Sequence, residues 1–311
     1  LWQGVALAVT TPLWRSLPLS AALGAPVLLK MEALQPCGSF KLRGVGRRCA
    51  AQVAAGATRR VCAGGGSAGL AVAYAGRRLG VAVAVVVPKT TSARARELLA
   101  AEGAEVVEHG DDWDAAHRFA LAGPARGATY VHPFDDPELW AGHAEIVVEA
   151  AAQGERPGAV VVAVGGGGLL CGVLQGMHAV GWTDVPVLAV ETAGAASYAA
   201  ALAAGEPVTL PAITSLATTL GARRVAAEAV AWARRHEVIA WTCDDRAAVQ
   251  ACLRFADDHR VLVEPACGAG LSAIYGRAPA LVGRGPVLAI VCGGAGTSLG
   301  LLRGWAERTG A

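Results

Sequence analysis

The chain has 311 residues, of which 54% are hydrophobic and 17% charged, with a formal net charge of +2. That composition can bury a sizeable core and excludes a disordered chain, and the near-neutral balance gives no basic field for nucleic acid. Of its 27 basic residues only Lys30, Lys41 and Lys89 are lysines, so any chemistry that needs an amine has three candidate carriers.

No apolar run reaches the ~18 residues of a membrane span, so no membrane partner is expected. The 8 cysteines form no C-x-x-C pair and several sit inside apolar runs. That usage points to reduced thiols in the cytoplasm, not to disulfides or a zinc site. The chain starts without a methionine, which suggests a truncated or processed start.

Short β-branched runs alternate with alanine-rich stretches. The first strand is expected at 27–31. Lys30 lies inside it and reads as a solvated strand-end charge. Next comes Ser39-Phe40-Lys41, near the start of a helix. A helix N-terminus and apolar neighbours both lower an amine's pKa, and those conditions suit a Schiff-base lysine.

A strand at 60–62 runs into Gly64-Gly65-Gly66-Ser67-Ala68-Gly69 and a helix at 68–79. This turn satisfies G-x-G-x-x-G, the dinucleotide fingerprint. The following strand, 81–87, should then end in an acid that holds a ribose, yet it ends in Pro88-Lys89. The missing acid counts against a nicotinamide cofactor. Lys89 reads as a solvated loop charge. A helix at 92–102, a strand at 105–108, a helix at 112–121, a strand at 129–132 and a helix at 139–152 follow.

After a short Gly/Pro segment at 154–158, the strand at 159–164 leads into Gly165-Gly166-Gly167-Gly168 and an apolar helix from Leu169. Four glycines at a helix N-terminus expose several backbone N–H groups at the positive end of the helix dipole, which makes a phosphate cradle. No Gly-Lys-Ser/Thr follows, so it is not a Walker loop. Strands at 185–191 and 238–242 and helices at 225–235 and 245–259 come next. The last strand, 286–292, ends in Cys292-Gly293-Gly294-Ala295-Gly296 before the final helix. This third turn suits anion binding and close packing equally. Continuous apolar strands alternating with helices indicate an α/β fold with parallel-type twisted sheets covered by helices.

Taken together the segments resemble the fold-type II pyridoxal-phosphate enzymes (tryptophan synthase β-like), and within them the liver-type L-serine/L-threonine dehydratases. The resemblance runs from Thr11-Pro12-Leu13 through Gln35-Pro36-Cys37-Gly38-Ser39-Phe40-Lys41-Leu42-Arg43-Gly44. It continues in Pro133-Phe134-Asp135-Asp136-Pro137, the tetraglycine turn, Glu264-Pro265-Ala266-Cys267-Gly268 and Cys292-Gly293-Gly294.

The resemblance implies pyridoxal 5'-phosphate held covalently by Lys41, with Phe40 beside the cofactor ring. It places the phosphate at Gly165, Gly166, Gly167, Gly168 and Leu169, and Cys292 opposite the ring nitrogen. It implies a substrate site at Ser39, Gly64, Gly65 and Gly66, with Ser67 as a further cofactor contact. A monovalent cation (K+) would sit at Glu191 and the backbone of Ala195, Leu220 and Ala222. The implied reaction is the β-elimination of L-serine, and of L-threonine, to pyruvate or 2-oxobutanoate plus ammonia.

The family's division would be a large domain of residues 1–41 and 135–311 and a small inserted domain of 42–134. The partners expected are a small amino-acid substrate and a second copy of the chain in a homodimer. No regulatory domain is expected after residue 311.

The substrate turn departs from the family pattern Ser-Ser-(Ala/Gly)-Gly-Asn-Ala-Gly. Gly64 stands in place of a serine and Ser67 in place of the asparagine. Each lost contact to a charged group costs on the order of 1–3 kcal/mol, so weak or altered activity is expected. The changes Gly64→Ser with Ser67→Asn are expected to raise turnover. Gly65 lacks the serine that serine racemases use as second acid/base. The alternative is a pyridoxal-phosphate-binding homologue whose dehydratase activity is weak or lost. A dinucleotide enzyme resting on Gly64-Gly65-Gly66 is the third reading.

Overall fold

The computed structural model describes residues 7–123 and 128–311. The first six residues of the expected 1–41 segment, and residues 124–127 of the expected insertion, lie outside them.

Every run read as a strand pairs, and together they form two sheets. The first has six strands in the order β1-β2-β10-β7-β8-β9. These are β1 (Leu13–Arg15), β2 (Val27–Lys30), β7 (Ala159–Ala163), β8 (Val187–Thr192), β9 (Val238–Cys243) and β10 (Val287–Ile290). All neighbours are parallel except β1, which pairs antiparallel with β2. The second sheet is parallel throughout, in the order β5-β4-β3-β6. It comprises β3 (Arg59–Ala63), β4 (Ala82–Val87), β5 (Glu105–Glu108) and β6 (Thr129–Tyr130).

Central strands are apolar on both faces because helices cover both: every residue of β2, β7, β8 and β10 is buried. Two strands start later than their apolar runs, β8 after Pro186 and β10 after Pro286. Proline has no N–H to give a ladder. β1 was not expected. It is a three-residue edge strand between Pro12 and Pro18, too short to show alternation.

Besides α1 (Leu17–Leu23) and α4 (Ala93–Ala101), the helices flanking the site are α2 (Lys41–Ala54), α3 (Ser67–Leu79), α5 (Trp113–Ala122), α6 (Pro137–Gln153) and α7 (Gly168–Ala179). Side-chain caps start several of them. Asp112 accepts from Ala115 N–H, and Asp136 accepts from Glu138 N–H with Pro137 in the first turn. Such caps contribute about 1 kcal/mol each. The helix expected at 225–235 is shorter, Ala227–Trp232, and three helices, Leu17–Leu23, Ser197–Ala204 and Pro265–Tyr275, were not anticipated. Among the described residues no helix is long and apolar enough to cross a membrane. All eight cysteines are free thiols.

One expectation about the lysines is corrected. Lys30 is not solvated but fully buried. Its Nζ donates to Thr11 O (2.7 Å), Glu149 Oε2 (2.6 Å) and Gln153 Oε1 (2.9 Å). Arg43, two residues past Lys41, grips Glu32 (2.7 and 2.8 Å) and Glu149 (2.7 and 2.8 Å) with its guanidinium fork. Strand-end position alone did not reveal that these charges neutralise one another inside the protein. Lys89, by contrast, is exposed and pairs with Asp111 at 3.3 Å.

Candidate active site

The C-terminal ends of the strands carry the three glycine-rich turns, and the last of them positions Lys41. Residue 39 pairs with residue 293 in an isolated antiparallel bridge. Phe40 N–H donates to Cys292 O (2.9 Å), and Gly294 N–H donates to Gly38 O (3.0 Å). The turn after β10 is therefore a packing turn. Its backbone groups hold the 38–40 segment, and α2 starts at Lys41.

The Lys41 amine is enclosed by protein and donates to Pro133 O at 2.5 Å. The residue as a whole keeps partial exposure, but enclosure at the amine end sets its chemistry. Burial brings its pKa from 10.5 down to about 8, against the opposing pull of Cys62, Cys292 and Glu264. Phe40 packs edge-on against His143, with ring centroids 4.9 Å apart. Lys41 Nζ lies 5.2 Å from the Phe40 ring centre.

The tetraglycine turn joins β7 to α7. The N–H groups of Gly165, Gly166, Gly167, Gly168 and Leu169 donate to no acceptor among the described residues. Five free amides in sequence at a helix N-terminus form an anion receiver. Glycine is required where the turn meets its neighbour, since a Cβ on Gly166 would lie 2.2 Å from Phe134 Cγ. This donor set fits a phosphate group.

The turn after β3 has the same property. The N–H groups of Gly65, Gly66, Ser67, Ala68 and Gly69 are also unpaired, while that of Gly64 donates to Val86 O (2.8 Å). This second receiver borders a small cleft shared by Gly65, Gly66, Ser67, Thr219, Glu264 and Ala295. The serine expected to raise turnover at position 64, together with asparagine at 67, would meet a backbone cost. Gly64 sits at φ +111°, where a Cβ is strained, and Trp113 Cδ1 would lie 3.2 Å from that Cβ. Trp113 also donates to Ala63 O (3.2 Å). A Cβ on Gly65 would lie 2.5 Å from Thr91 Cγ2, so a side chain there requires Thr91 to move.

Ser67 Oγ lies 3.5 Å from Glu264 Oε1. Glu264 is a functional candidate that sequence reasoning passed over. It is buried, its carboxyl is raised by burial against hydrogen bonds from Thr219 and Ser67, and it influences Lys41. An acid directly before Pro265 in an otherwise apolar stretch was the available signal. Cys292 is buried and hydrogen-bonded to Cys267. That bond and burial raise its thiol well above the ordinary value, so it stays neutral.

Glu191 lies away from this cleft's lining and is fully buried. Its carboxylate accepts from Tyr198 N–H and Ala199 N–H, both at 2.8 Å. Burial raises its pKa to about 7, against the pull of those two amides. Ala195 is buried nearby in sequence, and Leu220 lies against the tetraglycine turn, its Cα 2.9 Å from where a Gly165 Cβ would be. Leu220 O accepts from Ala222 N–H (2.8 Å).

Comparison with known proteins was made against this geometry. The family described as "Pyridoxal-phosphate dependent enzyme" matches residues 7–293. The human L-serine dehydratase/L-threonine deaminase is 46% identical, over 99% of this chain and 97% of that protein. The mouse serine dehydratase-like protein is 48% identical, over 91% of this chain and 89% of its own. Among solved structures, a fungal L-serine ammonia-lyase from Rhizomucor miehei superposes with a TM-score of 0.92 at 35% identity. That match covers 98% of this chain and all of the other.

Proposed function

The chain belongs to the pyridoxal-phosphate-dependent enzyme family, and from that premise we propose that it is an L-serine/L-threonine ammonia-lyase. It takes L-serine to pyruvate and ammonia, and L-threonine to 2-oxobutanoate and ammonia. The observation that carries the reading is the enclosed Lys41 amine, near neutrality at about pH 8, set among two turns of unpaired amides.

The donor set fits pyridoxal phosphate. The five amides of residues 165–169 would hold its phosphate, Lys41 its carbonyl carbon, and Phe40 and Ser67 its ring and ring hydroxyl. When bound, the cofactor supplies a carbon that captures the substrate amine and a ring that accepts the electrons released at Cα. The chain's own groups do the rest. The amides of Gly65, Gly66 and Ser67 receive the substrate carboxylate, beside Ser39 and Gly64. Released Lys41 in its neutral form takes the Cα proton as general base, and the β-hydroxyl departs as water with a proton that the resulting Lys41 ammonium can supply. The enamine, aminoacrylate from serine or aminocrotonate from threonine, leaves the site and hydrolyses to the oxo acid and ammonia. Cys292 would stand at the ring nitrogen. A neutral thiol there stabilises a protonated ring less than a carboxylate does, which favours fast elimination.

The same reading places a monovalent cation (K+) at Glu191 with carbonyls of Ala195, Leu220 and Ala222. It also assigns residues 1–41 and 135–311 to a large domain and 42–134 to a small one, in a cytoplasmic homodimer. The six-stranded sheet, drawn from residues 13–30 and 159–290, and the four-stranded sheet, drawn from 59–130, support that division.

The test is addition of L-serine to the holoenzyme. The PLP–lysine absorbance near ~410 nm should change and pyruvate should accumulate, and Lys41→Ala should abolish both. A second reading, a cofactor-binding homologue with weak or lost activity, is favoured by the altered turn. There Gly64 offers no hydroxyl and Ser67 reaches only the edge of Glu264. A PLP band that stays unchanged with serine, and no pyruvate, would establish that reading instead.

A further inference from the structure

His132 lies directly before Pro133, the residue whose carbonyl receives the Lys41 amine. Its Nδ1 accepts two backbone N–H groups, those of Phe134 (3.2 Å) and Asp135 (2.8 Å). An imidazole nitrogen that accepts twice carries no proton, so the neutral ring has its hydrogen on Nε2. Burial, with His117 and Lys41 adding to it, lowers the ring's pKa to about 4. His132 is thus neutral at pH 7. Its Nε2–H has no acceptor among the described residues.

Four rings surround it. Phe134 lies 4.7 Å away, His117 5.4 Å, Tyr130 6.1 Å and Trp113 6.3 Å between centroids, all edge-on. Trp113 ties this group to the anion-receiving turn, since it bonds Ala63 O and lies against Gly64. Trp113 also reaches Phe134 (6.0 Å), which packs on the tetraglycine turn. His132 therefore stands in the wall that joins the two turns, within electrostatic reach of Lys41.

We propose that His132 is a substrate-binding residue, donating its Nε2 hydrogen to the substrate carboxylate seated at the turn of residues 64–67. The inference rests on the amino-acid lyase reading above. A neutral imidazole is poorly suited to give up a proton to a departing hydroxyl, but it donates a hydrogen bond well. Trp113 links the ring to a turn of unpaired amides, and the acceptor that suits a neutral donor there is an anion. A neutral donor also binds that anion without adding positive charge next to the Lys41 base.

Two substitutions separate this role from local structure. In His132→Asn the amide oxygen can still cap the N–H groups of Phe134 and Asp135, as Nδ1 does, but no donor reaches the Nε2 position. In His132→Gln the amide nitrogen reaches that position and the cap is lost. The probes are glycine, which has the carboxylate and no leaving group, and glycinamide, which lacks the carboxylate. Each is titrated into the holoenzyme by its cofactor absorbance.

Loss of one hydrogen bond to a charged group should weaken glycine about tenfold or more in His132→Asn, with glycinamide changing by no more than about twofold. His132→Gln should recover most of the glycine affinity. With L-serine the loss in His132→Asn should fall on KM more than on kcat. Unchanged glycine affinity in His132→Asn, equal weakening of glycine and glycinamide, or a Gln variant no better than Asn would each overturn the proposal. Absence of pyruvate from the unmutated enzyme would instead remove the lyase reading, and the glycine titrations would still decide what His132 binds.

Discussion

The enclosed Lys41 amine has a stability consequence that can be separated from catalysis. Its pKa falls from 10.5 to about 8 on folding, chiefly through burial. At about 1.4 kcal/mol for each pKa unit, the protonated amine costs the cofactor-free fold about 3 kcal/mol. Below pH 8 both folded and unfolded chains carry the proton, and the whole cost is present. Between pH 8 and 10.5 the unfolded chain binds more protons than the folded one, so raising the pH stabilises the fold. Above 10.5 both states are neutral and the cost is gone.

Lys41→Met keeps the length of the stem and removes the charge. It also loses the hydrogen bond to Pro133 O, worth about 1 kcal/mol. The cofactor-free variant should therefore exceed the wild type by about 2 kcal/mol at pH 7. That advantage should shrink steadily towards pH 10.5. Urea unfolding of both cofactor-free proteins at pH 7 and pH 10 measures it, and other groups that ionise at high pH cancel in the difference. A variant less stable than wild type at pH 7, or a difference that does not change with pH, would refute the reasoning.

Further outcomes follow from single contacts. Gly166→Ala brings a Cβ within 2.2 Å of Phe134 Cγ. The overpacking should cost about 1–3 kcal/mol in thermal unfolding and weaken cofactor binding in a PLP titration. Arg43→Leu leaves buried Glu32 and part-buried Glu149 with reduced compensation. A loss of about 3–5 kcal/mol is expected by urea unfolding. Glu264→Gln removes the carboxylate that pulls the Lys41 pKa upward. The limb of kcat that rises with pH should move to lower pH, as read from initial rates across pH 6–10.

Some of this architecture was legible from one sequence because the determining signals are local. Apolar runs such as 159–164 have no choice but a doubly covered strand, and Asp245–His259 carries its own cap in Asp244. The tetraglycine turn was legible because four glycines serve no ordinary turn. The missed elements lack a local signature. β1 is defined by its pairing with β2, Leu13 to Arg15 lying beside Lys30 to Leu28. The helix Pro265–Tyr275 contains Gly268 and Gly270, and glycines inside a helix weaken its local signal.

Within the site, Lys41 was marked by its neighbours in sequence. Glu264, Trp113 and His132 were not, since Glu264 reaches the cleft, and Trp113 and His132 the neighbourhood of Gly64, from separate elements. Lys30 was misread because a strand-end position says nothing about the Glu149 and Gln153 side chains arriving from α6. The strain a serine would meet at position 64 was not legible, because a positive φ cannot be seen in a sequence.

The measurement that bears most directly on the central claim is borohydride reduction of the PLP-loaded enzyme, followed by digestion and mass mapping of the labelled peptide. Only three lysines can carry the label. Lys30 is locked in a buried ion network and Lys89 is exposed with Asp111, so the label should fall on Lys41. A pyridoxyl group on Lys30 or Lys89, or none at all, would contradict the active site described.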